Sequence, residues 1–519
     1  MIKLVTRSLL VVAAAIAAIA APAGAAPSTD ALAWGACPPM RGLDPRQQCA
    51  TLAVPLDYTD PTGETIEIAV SRIEAAPSPA HRGVLLYNPG GPGASGLSGP
   101  TRLTRLLPAS VRERYDLVGF DPRGIGWSAP VSCSLAPADQ DLLRFVPYPE
   151  PDGDISENVA YSQRAAAGCA ATSGHLLPHI TTANTARDMD ALRAALGEQK
   201  INYLGYSYGT YLGSVYATLF PQRTDRFLLD SVVHPDRIWR ETFSAWGPAA
   251  EIAFPGFAEY AAANDAAFGL GDTPAEVRQK FFELLAEVET EPYPLPGLTI
   301  DHKWYRELTR TALRDEVAFA ELAFILHLID EREAAGTRLR TRGAEAAAAL
   351  RERAQLPAPA VVQGASADAF PEVPVDNAFA APWAVVCGDA DWPESPADYQ
   401  RDVLLADELF PIVGASAANI WPCAFWPFDP PAPVAVEHLD GGSALLFQST
   451  KDPATPLDGA VALRHKLGER SRIVSFGNGG HALSFTGRND CADALATQFL
   501  ASGELPPRDV SCPAEPLQQ

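Results

Sequence analysis

One stretch of ten residues, 201–210, restricts the fold of this chain more than any other. It reads INYLGYSYGT: an apolar strand is predicted at 201–204, Gly-x-Ser-x-Gly follows at 205–209, and a helix is predicted at 208–220. A strand, a sharp turn and a helix in this order are typical of a nucleophile elbow. The turn strains the backbone of the serine, so only small neighbours fit on either side. Ser207 is therefore a candidate nucleophile, and the alternative is an ordinary serine in a strand-to-helix turn.

Apolar segments typical of buried strands recur along the rest of the chain. They lie at 83–87, 115–120, 226–230, 443–448 and 472–475, and helical patterns lie between or after them at 182–196 and 490–500. Alternation of strands and helices predicts an α/β protein with a mostly parallel central sheet and helices on both faces. Together with the elbow, this pattern predicts the α/β-hydrolase fold. The alternating segment at 65–70 predicts an edge strand of the same sheet.

The chain has 519 residues, which is too long for one compact core and suits two domains or one domain with a large insertion. The alternation stops at about residue 240, and helical patterns follow at 275–288, 305–332 and 341–353. These patterns predict an inserted, mainly helical cap over the active site. The predicted division is a signal peptide at 1–25, the first part of the hydrolase core at 26–240, the cap at 241–430 and the second part of the core at 431–519.

The first 25 residues have the pattern of a signal peptide. Lys3 and Arg7 precede an apolar run at 9–21, and Ala23-Gly24-Ala25 matches a cleavage site. The apolar run is shorter than the ~20 residues that a membrane span needs. We therefore expect a secreted protein, cut near Ala25, with no membrane span in the mature chain. Cleavage there would take the formal net charge from −23 to −25, which argues against a nucleic-acid partner.

The mature chain would carry all eight cysteines. An even number in an exported chain indicates disulfides, although eight cysteines allow about 105 connectivities. We predict that each cysteine pairs with its neighbour in the chain, and the four predicted pairs are Cys37–Cys49, Cys133–Cys169, Cys387–Cys423 and Cys491–Cys512. A zinc site is the alternative, but the sequence has no C-x-x-C pair, so we expect no metal.

A serine nucleophile needs a base to take its proton and an acid to orient that base. In hydrolases of this fold the chain order is serine, acid, histidine, with the last two after late strands of the sheet. His481 follows the strand predicted at 472–475, and Asp452 follows the strand predicted at 443–448. The sequence therefore predicts Ser207, Asp452 and His481 as a catalytic triad. Asp230 is the alternative acid and His234 the alternative base, because both follow the strand after the elbow.

A glycine-rich loop, NPGGPG at 88–93, follows one of the early predicted strands. Such a loop supplies half of the oxyanion hole in hydrolases of this fold. Pro89 and Pro92 have no N–H to donate, which leaves the three glycines. We predict Gly91 as one donor and the backbone N–H of Tyr208, the residue after the nucleophile, as the other. A phosphate-binding loop is disfavoured because the Gly-Lys-Ser/Thr ending is missing.

Five motifs together resemble the secreted tripeptidyl aminopeptidases, which are α/β-hydrolases related to the proline iminopeptidases. The motifs are NPGGPG at 88–93, DPRGIGWS at 121–128, GYSYGTYLG at 205–213, DPATP at 452–456 and GGH at 479–481. The resemblance implies a serine exopeptidase that releases short peptides, often tripeptides, from a free N-terminus. It also implies Ser207, Asp452 and His481 as the triad. Proline iminopeptidases commonly have histidine where this chain has Asn88, so the role of that side chain stays open.

The partners that the resemblance implies are peptides with a free N-terminus, and no cofactor is expected. The charged amine of such a peptide would need an acidic partner if it were buried, and Asp389 is the first candidate among several acids. One alternative function is a secreted carboxylesterase or amidase, because the same triad cleaves esters. A second alternative is a non-enzymatic binding protein on a hydrolase scaffold, which the complete set of predicted triad residues disfavours.

Overall fold

The computed structural model describes residues 32–332, 337–354 and 370–516. The predicted signal peptide at 1–25 lies outside the described residues. The strands of the described residues are β1 (Gln48–Pro55), β2 (Thr65–Ile73), β3 (Val84–Asn88), β4 (Asp116–Phe120), β5 (Ile201–Tyr206), β6 (Thr224–Asp230), β7 (Tyr293–Leu295), β8 (Leu298–Ile300), β9 (Ser443–Lys451), β10 (Ser471–Gly479) and β11 (Val510–Cys512).

Nine of the described strands form one sheet, in the order β1-β2-β4-β3-β5-β6-β9-β10-β11. The pairs β1–β2 and β2–β4 are antiparallel, and all later neighbours are parallel. Every residue of β3 and β5 is buried, which is the pattern of strands covered by helices on both faces. This topology confirms the predicted α/β-hydrolase fold, and it brings the carboxyl ends of β5, β9 and β10 to one edge of the sheet.

Helices occupy the long connections between the strands. Those before β7 are α1 (Gly99–Leu106), α2 (Ala109–Arg112), α3 (Leu142–Phe145), α4 (Ser156–Ser173), α5 (Thr182–Ala195), α6 (Tyr208–Leu219), α7 (Arg240–Ser244), α8 (Trp246–Ala263), α9 (Asp265–Phe268) and α10 (Pro274–Thr290). Those after β8 are α11 (His302–Ala312), α12 (Phe319–Asp330), α13 (Thr337–Ala354), α14 (Asn377–Asp389), α15 (Pro396–Leu409), α16 (Gly414–Ala417), α17 (Leu457–Leu467) and α18 (Asp490–Ser502).

The prediction of an edge strand at 65–70 is wrong. The strand β2 lies inside the sheet, because β1 pairs with its outer side over eight residue pairs from Gln48↔Arg72 to Pro55↔Thr65. The edge strand on this side is β1, most of whose residues alternate between buried and less buried positions.

Between β6 and β9 the chain forms the helices α7 to α16 and the short hairpin β7–β8. A separate hydrophobic cluster joins α8, α10, α11, α12 and α13. The helix α14 instead packs in the same cluster as the sheet, and its Asn377 side chain bonds the backbone of Gly124 and Val131. The helical segment therefore contains both a layer of its own and a part that is continuous with the hydrolase core. The division at 241–430 stays a prediction.

All four predicted disulfides are confirmed: Cys37–Cys49, Cys133–Cys169, Cys387–Cys423 and Cys491–Cys512. Each closes a local loop, with sequence separations of 12, 36, 36 and 21 residues in that order. Four disulfides fit an extracellular protein, since such bonds persist in oxidising compartments. Within the part of the chain that the structure describes, we find no helix with the length and apolar character of a membrane span.

The interior also holds a complete ion pair that anchors the loop after β4. The guanidinium of Arg123 is fully buried and forms two hydrogen bonds of 2.7 and 2.6 Å with the carboxylate of Asp188. It also donates to the backbone oxygens of Pro55, Leu56 and His179. A buried cation needs partners of this kind, and Arg123 is therefore a structural residue.

Candidate active site

Ser207 lies at the sharp turn between β5 and α6, where the elbow was predicted. Its backbone has φ +55° and ψ −122°, a strained conformation for a residue with a side chain. A Cβ on Gly205 would lie 2.6 Å from the backbone oxygen of Gly209, so the turn can close only with glycine there. The backbone N–H of Ser207 donates to the oxygen of Asp230 at 2.9 Å, which ties the elbow to β6. The serine hydroxyl is thereby held at the carboxyl edge of the sheet.

Asp452 and His481 form a hydrogen-bonded pair after β9 and β10. The Nδ1 of His481 lies 3.0 Å from Oδ1 and 2.9 Å from Oδ2 of Asp452, and both side chains are buried. The backbone N–H groups of Ala454 and Thr455 donate to the same carboxylate at 2.8 and 2.9 Å. Burial alone would raise the pKa of Asp452, but the neighbouring His481 and these hydrogen bonds outweigh it and lower the pKa. The carboxylate is therefore charged at neutral pH and faces the imidazole.

Thr455 adds a second contact to this pair that sequence reasoning missed. Its hydroxyl donates to Oδ2 of Asp452 at 2.9 Å and lies 3.2 Å from Nδ1 of His481. The Thr455 hydroxyl therefore helps to orient the carboxylate of Asp452 toward the imidazole of His481. Thr455 belongs to the DPATP motif at 452–456. This motif contributed to the family resemblance, but the resemblance gave no role to its threonine.

The loop that carries His481 is held from two sides. On the sheet side, the N–H of Ala482 donates to the hydroxyl of Ser231 at 2.7 Å. On the side of the helical segment, the N–H of His481 donates to the backbone oxygen of Arg314 at 2.9 Å, and the N–H of Gly479 donates to the carboxylate of Glu316 at 2.7 Å. The turn between α11 and α12 therefore helps to position the histidine.

The side chains of the alternative residues Asp230 and His234 form no hydrogen bond with His481 or Asp452 in the described part of the chain. The carboxylate of Asp230 accepts from the N–H of Ser484 at 2.7 Å and from the hydroxyl of Ser231 at 3.1 Å, beneath the histidine loop. Burial raises the pKa of Asp230 to about 7. His234 accepts from the N–H of Asp236 at 3.2 Å and lines a separate small cleft. The geometry therefore favours Asp452 over Asp230 and His481 over His234.

The backbone N–H groups predicted as oxyanion donors both belong to residues at the same cavity as Ser207. Gly91 and Tyr208 line it, and no backbone acceptor takes their N–H groups among the described residues. The N–H of Gly90 is instead bound by the side-chain oxygen of Asn88 at 2.9 Å. This contact gives Asn88 a local role, because it shapes the loop and occupies the N–H of Gly90; Gly91 stays the predicted donor.

The cavity in front of Ser207 and His481 has a volume of about 270 Å³. One wall is aromatic and consists of Phe145, Trp239, Phe243, Trp246 and Trp421. Another carries the arginines Arg310, Arg314 and Arg353. No aspartate or glutamate lines the cavity in the described part of the chain. The site therefore offers a candidate nucleophile, apolar surface and positive charge within one cavity.

Asp389 does not lie in this cavity. Its carboxylate sits behind the wall, where it accepts from the N–H and the hydroxyl of Thr182, each at 2.6 Å, and from Nε1 of Trp239 at 3.1 Å. Burial raises its pKa to about 6. All its contacts are within the protein, so the geometry does not support Asp389 as a direct partner of a substrate amine. Its role in the structure is to hold Trp239, which does line the cavity.

Known proteins resemble this chain over nearly its whole length. The tripeptidyl aminopeptidase of Streptomyces lividans is 36% identical over 509 residues, which cover 96% of this chain and 88% of that protein. The serine protease Hip1 of Mycobacterium tuberculosis is 33% identical over 486 residues, covering 89% and 87%. The carboxylesterase B of the same organism is 30% identical over 488 residues, covering 90% and 86%.

Two further comparisons concern a domain family and a solved structure. Residues 411–512 match the family described as TAP-like protein. A solved proline iminopeptidase from Mycobacterium smegmatis aligns with 16% identity and a TM-score of 0.33, covering 87% of this chain and 97% of that one. The fold assignment rests on the sheet topology, and the family rests on the identity to the Streptomyces relative. The chain is a serine hydrolase of the α/β-hydrolase fold and belongs to the tripeptidyl aminopeptidase family.

Proposed function

We propose that this protein is a secreted serine exopeptidase that releases short peptides, typically tripeptides, from free N-termini. The observation that carries the proposal is the hydrogen-bonded pair Asp452–His481 at the same cavity as the strained Ser207. The tripeptidyl aminopeptidase relative at 36% identity supports the kind of substrate. The four disulfides support export.

In the proposed mechanism, Ser207 Oγ attacks the scissile carbonyl carbon while Nε2 of His481 accepts the hydroxyl proton. Asp452 binds the opposite ring nitrogen, Nδ1, which keeps Nε2 free to act as the base and stabilises the imidazolium that forms. Nε2 is buried and has no hydrogen-bond partner among the described residues. A contact between nucleophile and base commonly tightens when the substrate binds.

The N–H groups of Gly91 and Tyr208 would donate to the oxyanion of the tetrahedral intermediate. Collapse of that intermediate breaks the C–N bond, and the imidazolium of His481 gives its proton to the departing amine. A water molecule then attacks the acyl-enzyme, again with His481 as the base, and releases the N-terminal fragment with a new carboxylate. The imidazolium of His481 returns the proton taken from water to Ser207 Oγ, so the steps balance with one water molecule consumed.

The size of the cavity supports short products. Its volume is about 270 Å³, near the lower end of the ~300–1,000 Å³ of ligand pockets, which suits a short segment of a peptide. Among the described residues of the lining, the aromatic ring faces of Trp239, Phe243 and Trp421 can bind a cation by cation–π interaction. We therefore assign the substrate amine to this aromatic wall rather than to a carboxylate.

The test compares Ala-Ala-Pro and acetyl-Ala-Ala-Pro that carry the same chromogenic leaving group. Acetylation removes the charge and lengthens the chain, and we expect kcat/KM to fall by about 30-fold, as the loss of a desolvated cation–π contact of about 2 kcal/mol implies. Mass spectrometry of a longer peptide digest should show three-residue fragments from its N-terminus. Equal rates for the two substrates, or internal cleavage of the long peptide, would contradict the exopeptidase proposal.

A carboxylesterase is the second candidate, and one observation favours it specifically. The cavity wall is aromatic and, in the described lining, contains no carboxylate for an amine. The relative named carboxylesterase B is also 30% identical over most of the chain. Hydrolysis of short acyl esters at a kcat/KM far above that of every free tripeptide substrate would support this candidate over the peptidase.

A further inference from the structure

The cationic wall of the cavity contains one arginine, Arg314, for which the described residues supply no paired carboxylate. Arg310 forms two hydrogen bonds with the carboxylate of Glu307, at 2.8 and 2.6 Å. Arg353 pairs with Asp315 at 3.0 Å. The guanidinium of Arg314 makes no ion pair or hydrogen bond with any residue of the described ranges 32–332, 337–354 and 370–516. Arg314 therefore has unused donors at the cavity.

A comparison with Arg123 shows what a structural arginine looks like in this protein. Arg123 is buried and binds a carboxylate and three backbone oxygens. Arg314 differs from Arg123 because it is only partly buried, so its guanidinium stays accessible from the cavity. Burial, together with the nearby charge of Arg310, lowers its pKa to about 10, and it still carries a positive charge at neutral pH. An accessible guanidinium without a paired carboxylate in the described residues has donors available for an anion.

The position of Arg314 indicates which part of a substrate it would meet. Its backbone oxygen accepts the N–H of His481 at 2.9 Å, and the next residue, Asp315, bridges to Gly480. Arg314 thus belongs to the turn that lies on the histidine loop. His481 is the group that hands its proton to the departing amine, so the leaving part of the peptide passes on this side of the serine.

The three arginines at the cavity contrast with the negative net charge of the whole protein. The chain has 63 acidic and 40 basic residues, a formal net charge of −23. An acidic protein repels anions at long range, so three arginines without an acid in the described cavity lining form a local exception. Guanidinium groups bind carboxylates with two parallel hydrogen bonds, which makes a carboxylate the fitting ligand for Arg314.

We propose that Arg314 binds a carboxylate on the leaving part of the peptide substrate and makes the enzyme prefer substrates with a negative charge just after the scissile bond. This inference rests on the proposed function. The carboxylate has two possible sources with the same chemistry: an acidic side chain on the first residue of the leaving part, or the C-terminal carboxylate of a four-residue peptide.

The experiment measures release of Ala-Ala-Pro from four peptides by chromatography. Ala-Ala-Pro-Gly is compared with its C-terminal amide, and Ala-Ala-Pro-Asp-amide is compared with Ala-Ala-Pro-Asn-amide. The first pair tests the C-terminal carboxylate and the second tests the acidic side chain. For the wild type we expect kcat/KM to be about 10-fold or more higher for the charged member of at least one pair.

The variant Arg314→Gln should bring that ratio to within about 2-fold, since glutamine keeps hydrogen-bond donors and loses the charge. A far-UV circular dichroism spectrum that matches the wild type would show that the variant is folded, and the comparison of the ratio within each peptide pair does not depend on its overall turnover. The variant Arg314→Lys should keep part of the preference. Arg278→Gln is the matched control, because this helical-segment arginine pairs with Glu251 and does not line the cavity.

Three outcomes would overturn the inference. The wild type could release Ala-Ala-Pro from all four peptides at equal rates, or Arg314→Gln could keep the wild-type preference. Both results would leave the proposed exopeptidase function intact. If the wild type released Ala-Ala-Pro from none of the peptides, the proposed function would fail and the inference would fail with it.

Discussion

Replacement of Asp452 by asparagine is the substitution whose consequence the structure predicts most sharply. The side chain of Asp452 receives four contacts: Nδ1 of His481, the N–H groups of Ala454 and Thr455, and the hydroxyl of Thr455. Asparagine keeps one oxygen, which can still accept from the two backbone N–H groups. Its amide NH₂ then faces His481 and Thr455 and cannot accept from either. The fold is retained while the contact with the imidazole is inverted.

The inverted contact favours the wrong tautomer of His481, with the proton on Nε2 and none on Nδ1. Nε2 then cannot take the proton of Ser207, and the imidazolium loses its neighbouring negative charge. Substitutions of this kind in serine proteases lower kcat by about 10⁴-fold. At about 1.36 kcal/mol for each factor of ten, this corresponds to roughly 5.4 kcal/mol of transition-state stabilisation. KM should change little, because Asp452 lies behind the histidine.

The assay is kcat and KM for the chromogenic Ala-Ala-Pro substrate, with Asp230→Asn as the control. Asp230 is also a buried carboxylate after a parallel strand, but it contacts Ser484 and Ser231 and not His481. We expect a loss of less than about 10-fold for the control, caused by a looser histidine loop. A larger loss for Asp230→Asn than for Asp452→Asn would refute the assignment of the acid.

Three further predictions concern the neighbourhood of the site. Thr455→Val should lower kcat by about 10- to 100-fold with little change in KM, because a hydrogen bond to the charged Asp452 is lost; an unchanged kcat would contradict this role. Gly205→Ala should destabilise the fold by about 3 kcal/mol or more in urea unfolding, since its Cβ would meet a backbone oxygen, while Gly256→Ala, with no contact closer than 3.8 Å, should be tolerated. Burial raises the pKa of Asp230 to about 7, so the folded state binds more protons than the unfolded state between about pH 4 and 7. The free energy of unfolding should therefore fall as pH rises through this window, and less so in Asp230→Asn; identical pH profiles would contradict the shift.

The parts of the fold that local patterns determine were predictable. The strand β5, the glycines of the elbow and the helix α6 follow from an apolar run, a steric limit and a helical pattern in direct succession. The order of Ser207, Asp452 and His481 follows from parallel strands whose carboxyl ends meet at one edge. Disulfide pairing was predictable because each pair closes a short loop.

The parts that depend on tertiary contacts were not predictable. One helix was expected at 305–332, but the chain forms α11 and α12 with a turn between them. This turn contains no glycine or proline, and it forms because Asp315 caps Val317 and its backbone bridges to Gly480 of the histidine loop. The same turn brings Arg314 to the cavity, so its role was invisible in the sequence.

The prediction for Asp389 shows the same limit for a single side chain. The sequence indicates an acid near the predicted active site, and it does not show which way a residue at the end of a helix will face. In the structure the carboxylate turns inward to Thr182 and Trp239, because buried hydrogen-bond donors must be satisfied. The sequence therefore did not show that the side chain of Asp389 would be directed away from the cavity.

The central claim is that Ser207 is the nucleophile of this enzyme. The most direct measurement is labelling with a fluorophosphonate, followed by peptide mapping, in the wild type and in Ser207→Ala. We predict a single label on Ser207 in the wild type, no label in the variant, and a loss of peptide turnover that approaches ~10⁶-fold. A label on another serine, with turnover retained in Ser207→Ala, would contradict the assignment.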